Sequence, residues 1–454
     1  ACAGGMKWAS SQDALPPVVD LDSSPAAKLE EPSNVALALS IDFTTMGAVY
    51  RGAEYVHDLA HAPYLGYWDI RGCYQYKDSG DTSTLAGEYF YRVGTANGEG
   101  YCSNAYSGNL LNYVATSTID ILRLALTGGH RVVDTASTTV LERAYLYSDW
   151  GLNQPTYFPR RSINKAFLGK VVPNAPVTTT GDFIYAGSCK DKIWFGTRTA
   201  DHLNCDHPTQ TAATVFHHGD LNPKDADNEP LPMFGRVKVC AGSEATSRGG
   251  LCARYPSGNY KPIGQIQKKS DGIKISVFGY LADDSNTRYG GVLRAPMGYV
   301  GPTKPNAAGV GMIANIEKEW NQSTGVFVEN PRNGPYAYSG VINYVNRFGT
   351  TGTKGYYKSL DPVGELYYEA LRYFMGLGPT AAAVASFAGK EDGFPVYTNW
   401  TDPIENACYR KNYILTIGDV NTHYDRQLPG HGGSGALAGT TLDPARSAES
   451  LLGS

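Results

Sequence analysis

The sequence has few charged residues, and its positive and negative charges nearly cancel. Asp, Glu, Lys and Arg make up 18% of the 454 residues, below the roughly 25% of an average soluble domain. Lys and Arg number 39 and Asp and Glu number 43, which gives a net charge of -4. Nucleic-acid-binding proteins usually carry a basic excess, so this balance argues against that function. It also argues against an acidic, solvating tail.

Segments that would cross a membrane or direct export are also missing. No apolar run approaches the roughly 20 residues needed to span a bilayer. The chain does not open with the basic stretch and apolar stretch of a secretory signal peptide. We therefore expect a mature exported protein whose signal has already been removed.

Eight cysteines are present, but none forms a C-x-x-C pair, which argues against a zinc ribbon and a thioredoxin-like site. Their even number favours disulfides made in an oxidising compartment. Three candidate pairs would each close a loop of modest length: Cys73 with Cys102, Cys189 with Cys205, and Cys240 with Cys252. The sequence alone leaves the connectivity open.

Glycine and tyrosine are abundant, with 52 and 32 copies, and the apolar fraction of 42% is enough for a substantial core. Four tyrosines in Gly- and Asn-rich sequence are candidates for an adhesive surface: Tyr336, Tyr338, Tyr356 and Tyr357. Tyrosine suits such surfaces because its ring is apolar and its hydroxyl is polar. The alternative, that these rings pack hairpins against a sheet, stays open.

Apolar periodicity predicts an α/β fold. Residues 34–40 and 412–417 are short apolar runs typical of buried parallel strands, and residues 272–280 alternate as a strand does. Residues 362–375 repeat apolar side chains at helical spacing, and Pro362 suits the first helical turn. Residues 52–106 are interpreted as loop-like, residues 107–127 as a helix and residues 136–146 as a second helical stretch.

These elements predict a doubly wound open sheet with helices on both faces and a β-rich, disulfide-stapled insertion. The expected organisation is an extended leader (1–33), a first part of the core (34–149), the insertion (150–255), a second part of the core (256–430) and a flexible linker (431–454).

Polar residues follow the predicted strands and precede the second helix. Ser40, Asp42 and Thr44 follow the first strand, Asp361 precedes the helix, and Asp419 follows the last strand. Loops at the carboxyl ends of parallel strands meet at one edge of the sheet, where these oxygens would suit Ca²⁺ or Mg²⁺. The alternative is that the aspartates cap helices or turns.

Two other clusters support an alternative function, that of a secreted metal-dependent hydrolase. One is a His/Cys group that could hold zinc: His202, Cys205, His207, His217 and His218. The other is an oxygen-rich loop: Asp220, Asn222, Asp225, Asp227 and Glu229. Neither has the spacing of a standard zinc or EF-hand site, and no catalytic set assembles in the sequence.

The strand-end arrangement resembles a von Willebrand factor A (vWA) domain. Ser40, Asp42 and Thr44 stand where that family has its D-x-S-x-S loop. Asp361 stands where it has a threonine before a later helix, and Asp419 stands near its T-D-G. The resemblance implies a site for Mg²⁺ or Ca²⁺ at these residues, although every position departs from the family pattern.

A closer resemblance covers about 390 residues. Ten strings, in the same order, are similar to the N-terminal vWA-like domain of the type IV pilus tip adhesins of the PilC/PilY family. They are NVALALS (34–40), YLGYWD (64–69), SGNLLNY (107–113), IDILR with LTGG (119–129), DTASTTVLER (134–143), VFGY (277–280), GGVLR (290–294), INYVNRF (342–348), DPVGELYYEALRY (361–373) and IGDVNT (417–422).

This resemblance implies a non-enzymatic protein at the tip of a type IV pilus. Its expected partners are minor pilins and a host or abiotic surface ligand, without nucleic acid or a membrane span. Its expected location is the periplasm in transit and then the cell surface. A calcium-binding β-propeller usually follows in this family, so the chain is expected to be the N-terminal part of a longer protein.

Overall fold

The computed structural model describes most of the chain. The described residues are 32–77, 87–146, 157–173, 181–196, 233–248, 250–283, 285, 288–306, 309–405, 410–418, 425 and 427–428. In chain order the strands are β1 (Ser33–Leu39), β2 (Gly72–Lys77), β3 (Tyr89–Thr95), β4 (Tyr106–Ser107), β5 (Arg131–Asp134), β6 (Thr139–Glu142), β7 (Arg161–Asn164), β8 (Phe183–Cys189), β9 (Lys192–Gly196), β10 (Met233–Phe234), β11 (Arg236–Val239), β12 (Cys252–Arg254), β13 (Tyr260–Pro262), β14 (Ile273–Gly279), β15 (Val292–Gly298), β16 (Thr303–Pro305), β17 (Met312–Ala314) and β18 (Asn412–Ile417).

The α-helices are α1 (Gly108–Ala115), α2 (Thr118–Thr127), α3 (Glu244–Ser247), α4 (Gln265–Lys269), α5 (Val341–Arg347), α6 (Val363–Phe374) and α7 (Ala381–Val384). Helices and sheets are therefore both present, and the predicted mixed α/β class is confirmed.

A four-stranded sheet with the order β15-β14-β1-β18 contains the predicted apolar strands. β1 runs parallel to both β14 and β18, whereas β15 pairs antiparallel with β14 at the edge. Ala36 through Leu39 are at most 3% exposed, which explains why the sequence of β1 is apolar without interruption.

Helices cover both faces of this sheet. Neighbouring side chains of a strand point to opposite faces, and Ala36 and Ala38 of β1 accordingly share a buried cluster with Leu366 and Ala370 of α6. The opposite cluster contains residues of β1 and α5: Leu37, Leu39, Val341 and Val345. The sheet is thus the middle layer of three.

Two further sheets enclose a separate core. One has six strands in the order β4-β2-β3-β11-β6-β5, and the other has four in the order β10-β9-β8-β7. Phe90 and Val237 of the first sheet lie in one buried cluster with Ile184 and Ile193 of the second and with Leu110 of α1. Since β11 lies between β3 and β6, the six-stranded sheet combines segments from both sides of the boundary expected at residue 149.

Three local predictions were wrong. The segment 52–106, interpreted as loop-like, contains β2 and β3, and the segment 136–146, interpreted as helical, contains β6. Thr139 and Val140 favour a strand, and both are buried where β6 pairs with β5 and β11. The single helix predicted over 107–127 is divided at Ser117, whose side chain forms a reciprocal capping box with Asp120 and starts α2.

Two of the predicted disulfides are confirmed. Cys73 of β2 is bonded to Cys102, and Cys240 is bonded to Cys252 of β12, each with 5.6 Å between the Cα atoms. Cys189 ends β8, but its predicted partner Cys205 lies outside the described residues.

A buried charge network connects the six-stranded sheet to the rest of the chain. The Asp134 carboxylate accepts hydrogen bonds from Lys261 Nζ at 2.8 Å and from Arg131 Nη1 at 2.9 Å. The side chains of Lys261 and Arg131 are 0% and 1% exposed. Phe327, which packs against the central-sheet cluster, donates its backbone N–H to Asp134 at 2.9 Å and stacks on Arg131. Burial lowers the pKa of Lys261, and the Asp134 carboxylate partly offsets that effect.

Candidate functional site at the strand ends

The candidate site begins where β1 ends. Ser40 is fully buried, and its backbone N–H donates to the carbonyl of Ile417 in β18 at 2.8 Å. A Cβ atom at Gly418 would lie 2.8 Å from the Cβ of Ser40, so a residue without a side chain is needed beside it. The carboxyl ends of strands β1 and β18 are therefore held close together at this edge of the sheet.

Ser40 and Asp361 are in contact, as the strand-end hypothesis requires. Ser40 Oγ donates to Asp361 Oδ2 at 3.3 Å and lies 2.9 Å from the hydroxyl of Tyr280, the residue that follows β14. Asp361 is fully buried and precedes α6, where its carbonyl accepts the N–H of Val363 at 2.9 Å. Residues after β1 and β14 and before α6 thus meet at one point.

Asp42 and Thr44 form a second pair. Asp42 Oδ1 accepts Thr44 Oγ1 at 2.8 Å and the backbone N–H of Thr45 at 3.2 Å. Asp42 therefore caps the short 3-10 turn Phe43–Met46. The capping role, which the sequence left as the alternative, is present at this residue.

Tyr280 is close enough to three carboxylates at this edge for their charge to affect its hydroxyl. Burial raises the pKa of its hydroxyl well above the usual value, and the carboxylates of Asp361, Asp425 and Asp42 raise it further, whereas the hydrogen bond with Ser40 lowers it. The hydroxyl therefore stays protonated at neutral pH and remains a hydrogen-bond donor.

Asp425 completes the site from a segment that follows β18. Its carboxylate accepts the backbone N–H groups of Gly364 at 2.8 Å and of Glu365 at 2.9 Å, at the N-terminus of α6. The N–H of Gln427 in turn donates to Glu365 Oε1 at 2.9 Å. A carboxylate at this position is favoured by the helix dipole and by the unsatisfied N–H groups of the first turn.

Sequence reasoning missed Tyr280 and Asp425. Tyr280 directly follows an alternating strand, which was a usable signal because residues after parallel strands share an edge. Asp425 had no comparable signal, because it is 60 residues from Glu365 and 61 residues from Gly364, its contacts in α6.

The donor atoms at this edge match the chemistry of a hard cation. Ser40, Thr44, Asp42 and Asp361 supply hydroxyl and carboxylate oxygens, the ligands preferred by Ca²⁺ and Mg²⁺. Asp419 lies outside the described residues. Within the described ranges, no group of three or more His, Cys, Asp or Glu side chains is arranged to hold a metal ion.

The clusters behind the hydrolase alternative cannot be placed in the structure. All members of the His/Cys group and of the oxygen-rich loop fall within residues 201–232, outside the described residues.

The candidate adhesive tyrosines differ in accessibility. Tyr336, Tyr338 and Tyr356 are partly exposed, and Arg347 lies over the ring of Tyr338 at 4.1 Å. Tyr357 is only 5% exposed, and its hydroxyl donates to the carbonyl of Tyr145 at 3.1 Å. Its side chain therefore belongs to the core and not to the surface expected from the sequence.

The structure defines a disulfide-bonded, mixed α/β protein with an oxygen-rich edge at its strand ends. A family model described as "PilY1 homolog, small alpha/beta domain" matches residues 55–181. A second model, described as "PilY1 homolog, second domain", matches residues 353–450.

Two curated relatives come from Xylella fastidiosa (strain Temecula1 / ATCC 700964), and each is named type IV pilus biogenesis factor PilY1 homolog. One is 36% identical over 425 residues, which cover 88% of this chain and 33% of the relative. The other is 24% identical over 431 residues, which cover 83% of this chain and 27% of the relative.

The chain therefore spans about a third or less of the length of these relatives. No solved structure matches it. Together, the two family models and the relatives support the PilY1 family and a pilus-related role for this chain. In the part of the chain that the structure describes, no helix is long and apolar enough to cross a membrane.

Proposed function

We propose that this chain is the N-terminal region of a type IV pilus tip protein that acts in pilus assembly and in attachment to external surfaces. The observation that carries the proposal is the 36% identity to a type IV pilus biogenesis factor over 88% of the chain. The two disulfides support an exported protein, because such bonds form in oxidising compartments.

We further propose that the sheet β15-β14-β1-β18 is the core of a vWA-like domain. Three features support this assignment: the antiparallel edge strand β15 beside parallel strands, the helices α5 and α6 on opposite faces, and the polar site at the carboxyl ends. In this proposal the chain is not an enzyme. Its partners are minor pilins and a surface ligand, with Tyr336, Tyr338 and Tyr356 as candidate contact residues.

Deleting the gene should remove both pili and adhesion. We expect a deletion strain to lack surface pili by electron microscopy and to lose surface attachment, and the intact gene supplied in trans should restore both. Labelling of the wild-type protein should mark pilus tips. Normal piliation and adhesion in the deletion strain, with no label on pili, would contradict the proposal.

The strand-end site is proposed to bind Ca²⁺ or Mg²⁺ through Ser40, Asp42, Thr44, Asp361 and Asp419. Ion binding to the folded state alone should raise the melting temperature by roughly 3 °C at a hundred times the dissociation constant. The double variant Asp42→Ala/Asp361→Ala should respond less to added ion.

Melting is measured with chelator and with excess ion in both proteins. Asp58→Ala serves as the matched control, because Asp58 also caps a turn, through the N–H of His61, but its side chain is 38% exposed and not buried. This control should keep the full response to the ion. Identical melting of the wild-type protein with chelator and with ion would rule the site out.

A further inference from the structure

The two edges of the central sheet differ in how they are protected. β15, at one edge, contains Pro296, which has no N–H to offer another strand, and its pairing with β14 has register shifts after Ile275 and after Val277. The carbonyl of Leu293 in β15 also accepts the N–H of Tyr397 at 3.1 Å. Proline, irregular pairing and covering segments are features by which natural sheets keep an edge strand from pairing with other chains.

β18, at the opposite edge, has no such protection in its own sequence. That sequence, NYILTI, contains no proline and no charged residue, and its six residues pair with β1 in an uninterrupted parallel register. Apolar side chains occupy both faces, because Tyr413 and Leu415 alternate with Ile414. A short apolar run of this kind is typical of an interior strand of a parallel sheet, which has a neighbour on each side.

The backbone of β18 offers hydrogen bonds on the side away from β1. The carbonyls of Lys411 and Ile417 accept N–H groups from β1 and from the residue that follows it, each at 2.8 Å. Successive residues of a paired strand face opposite neighbours, so the odd-numbered residues of β18 face β1. The N–H and C=O groups of Ile414 and Thr416 therefore point outward, and no strand among the described residues pairs with them.

One face of β18 is only half covered. Tyr413 and Leu415 are 50% and 45% exposed. They pair in register with Val35 and Leu37, so they lie on the same face of the sheet as α5. α5 packs against β14 and β15, which are further from this edge. Strands of a parallel sheet are normally covered on both faces, so a layer of apolar side chains is expected here.

These observations define what would complete the edge. The outward N–H and C=O groups require an extended backbone that pairs with them, and the half-covered side chains require apolar neighbours. An open edge of this composition promotes aggregation, so its occupant has to be present whenever the protein is folded. A segment of the same polypeptide meets that condition, because its effective concentration is high and does not depend on the supply of another protein.

The relatives are long enough to contain such a segment. The matched regions cover only 33% and 27% of the two relatives. Most of the polypeptide of each relative therefore lies outside the part that corresponds to this chain.

We propose that a β-strand from the same polypeptide, outside residues 1–454, pairs with the outward edge of β18, and that apolar side chains joined to it cover Tyr413 and Leu415. β18 then becomes an interior strand, as its sequence predicts. The proposal rests on one part of the proposed function, that this chain is a region of a longer protein, and it requires no pilus activity.

Hydrogen–deuterium exchange, resolved to single amides by mass spectrometry, tests the proposal on the 454-residue chain and on the full-length gene product. The amides of Ile414 and Thr416 should exchange more slowly in the full-length protein, by roughly a hundredfold or more, because pairing makes their exposure part of a larger opening event. The amides of Tyr413 and Leu415 face β1, so they should be protected in both proteins and serve as the internal control.

Tyr413→Lys/Leu415→Lys tests whether the half-covered face belongs to the same interface. In the full-length protein, this double variant should return the exchange of the Ile414 and Thr416 amides to the rate seen in the 454-residue chain. The physical reason is that the variant places two charges against an apolar layer. In the 454-residue chain the same side chains are half exposed, so the melting temperature should change little.

Val56→Lys/Leu65→Lys is the matched control, because these side chains are 60% and 56% exposed and lie far from β18 in the sequence. In the full-length protein it should leave the slow exchange at β18 unchanged. Continued protection of the β18 amides that face β1 shows that each variant is folded.

Equally fast exchange of the Ile414 and Thr416 amides in the two wild-type proteins would overturn the proposal. Slow exchange in the 454-residue chain would also overturn it. A rate that falls with rising protein concentration would assign the edge to a second copy, and a constant slow rate would assign it to a segment within the chain. None of these results depends on whether a deletion strain forms pili, so failure of this proposal is distinguishable from failure of the proposed function.

Discussion

Asp134→Ala is expected to lower the free energy of unfolding by about 3–5 kcal/mol, the cost of removing one partner from a buried ion pair. The substitution leaves Lys261 and Arg131 buried beside each other without their shared carboxylate. It also leaves the N–H of Phe327 without its acceptor. Urea denaturation followed by circular dichroism measures the change.

A pair of similar type on the surface provides the control. Glu329 and Arg347 are 3.9 Å apart, and the Glu329 side chain is 67% exposed. Glu329→Gln should therefore change the free energy of unfolding by less than about 1 kcal/mol. If Asp134→Ala lowered the free energy of unfolding no more than Glu329→Gln does, the buried charge network would not stabilise the connection between the six-stranded sheet and the rest of the chain.

The second large effect is expected when the Cys73–Cys102 disulfide is removed. The two cysteines are 29 residues apart, and closing a loop of that length restricts the unfolded chain enough to stabilise the fold by about 3–4 kcal/mol. Cys73→Ser/Cys102→Ser should unfold at a correspondingly lower urea concentration, and mass mapping of the oxidised wild-type protein should show the linked peptides.

The other disulfide gives a graded comparison. Cys240 and Cys252 are 12 residues apart, so Cys240→Ser/Cys252→Ser should cost about 3 kcal/mol or slightly less. Free thiols at Cys73 and Cys102 in the oxidised protein would show that the Cys73–Cys102 bond is absent and does not stabilise the fold. That result would also weaken the argument for export.

The central sheet could be predicted because its signals are local. β1 and β18 are apolar runs, and α6 repeats apolar side chains at helical spacing, so each element is visible in its own residues. β2 and β3 were missed because their side chains alternate imperfectly among Gly and Tyr, and β6 was missed because Val140, Leu141 and Ala144 have helical spacing. Their strand state depends on pairing with distant segments, such as that of β6 with β11.

The residues of the candidate site also differ in whether a local sequence signal could predict them. Ser40 and Asp361 were predicted to meet, and they do, because each adjoins an element with a clear pattern. Tyr280 and Asp425 complete the site through contacts between segments far apart in the chain, and no short window of sequence contains such contacts. Tyr357 was expected on the surface, but the composition around it could not reveal that its ring fills a core position.

The return of the chain after β18 has a mechanical consequence. Three hydrogen bonds, two at the Asp425 carboxylate and one from Gln427, attach this segment to the start of α6. A pulling force applied beyond residue 428 would load these bonds before it reached β18. Since Asp425 also lies near Tyr280, their rupture would change the charge around the strand-end site while the sheet was still intact.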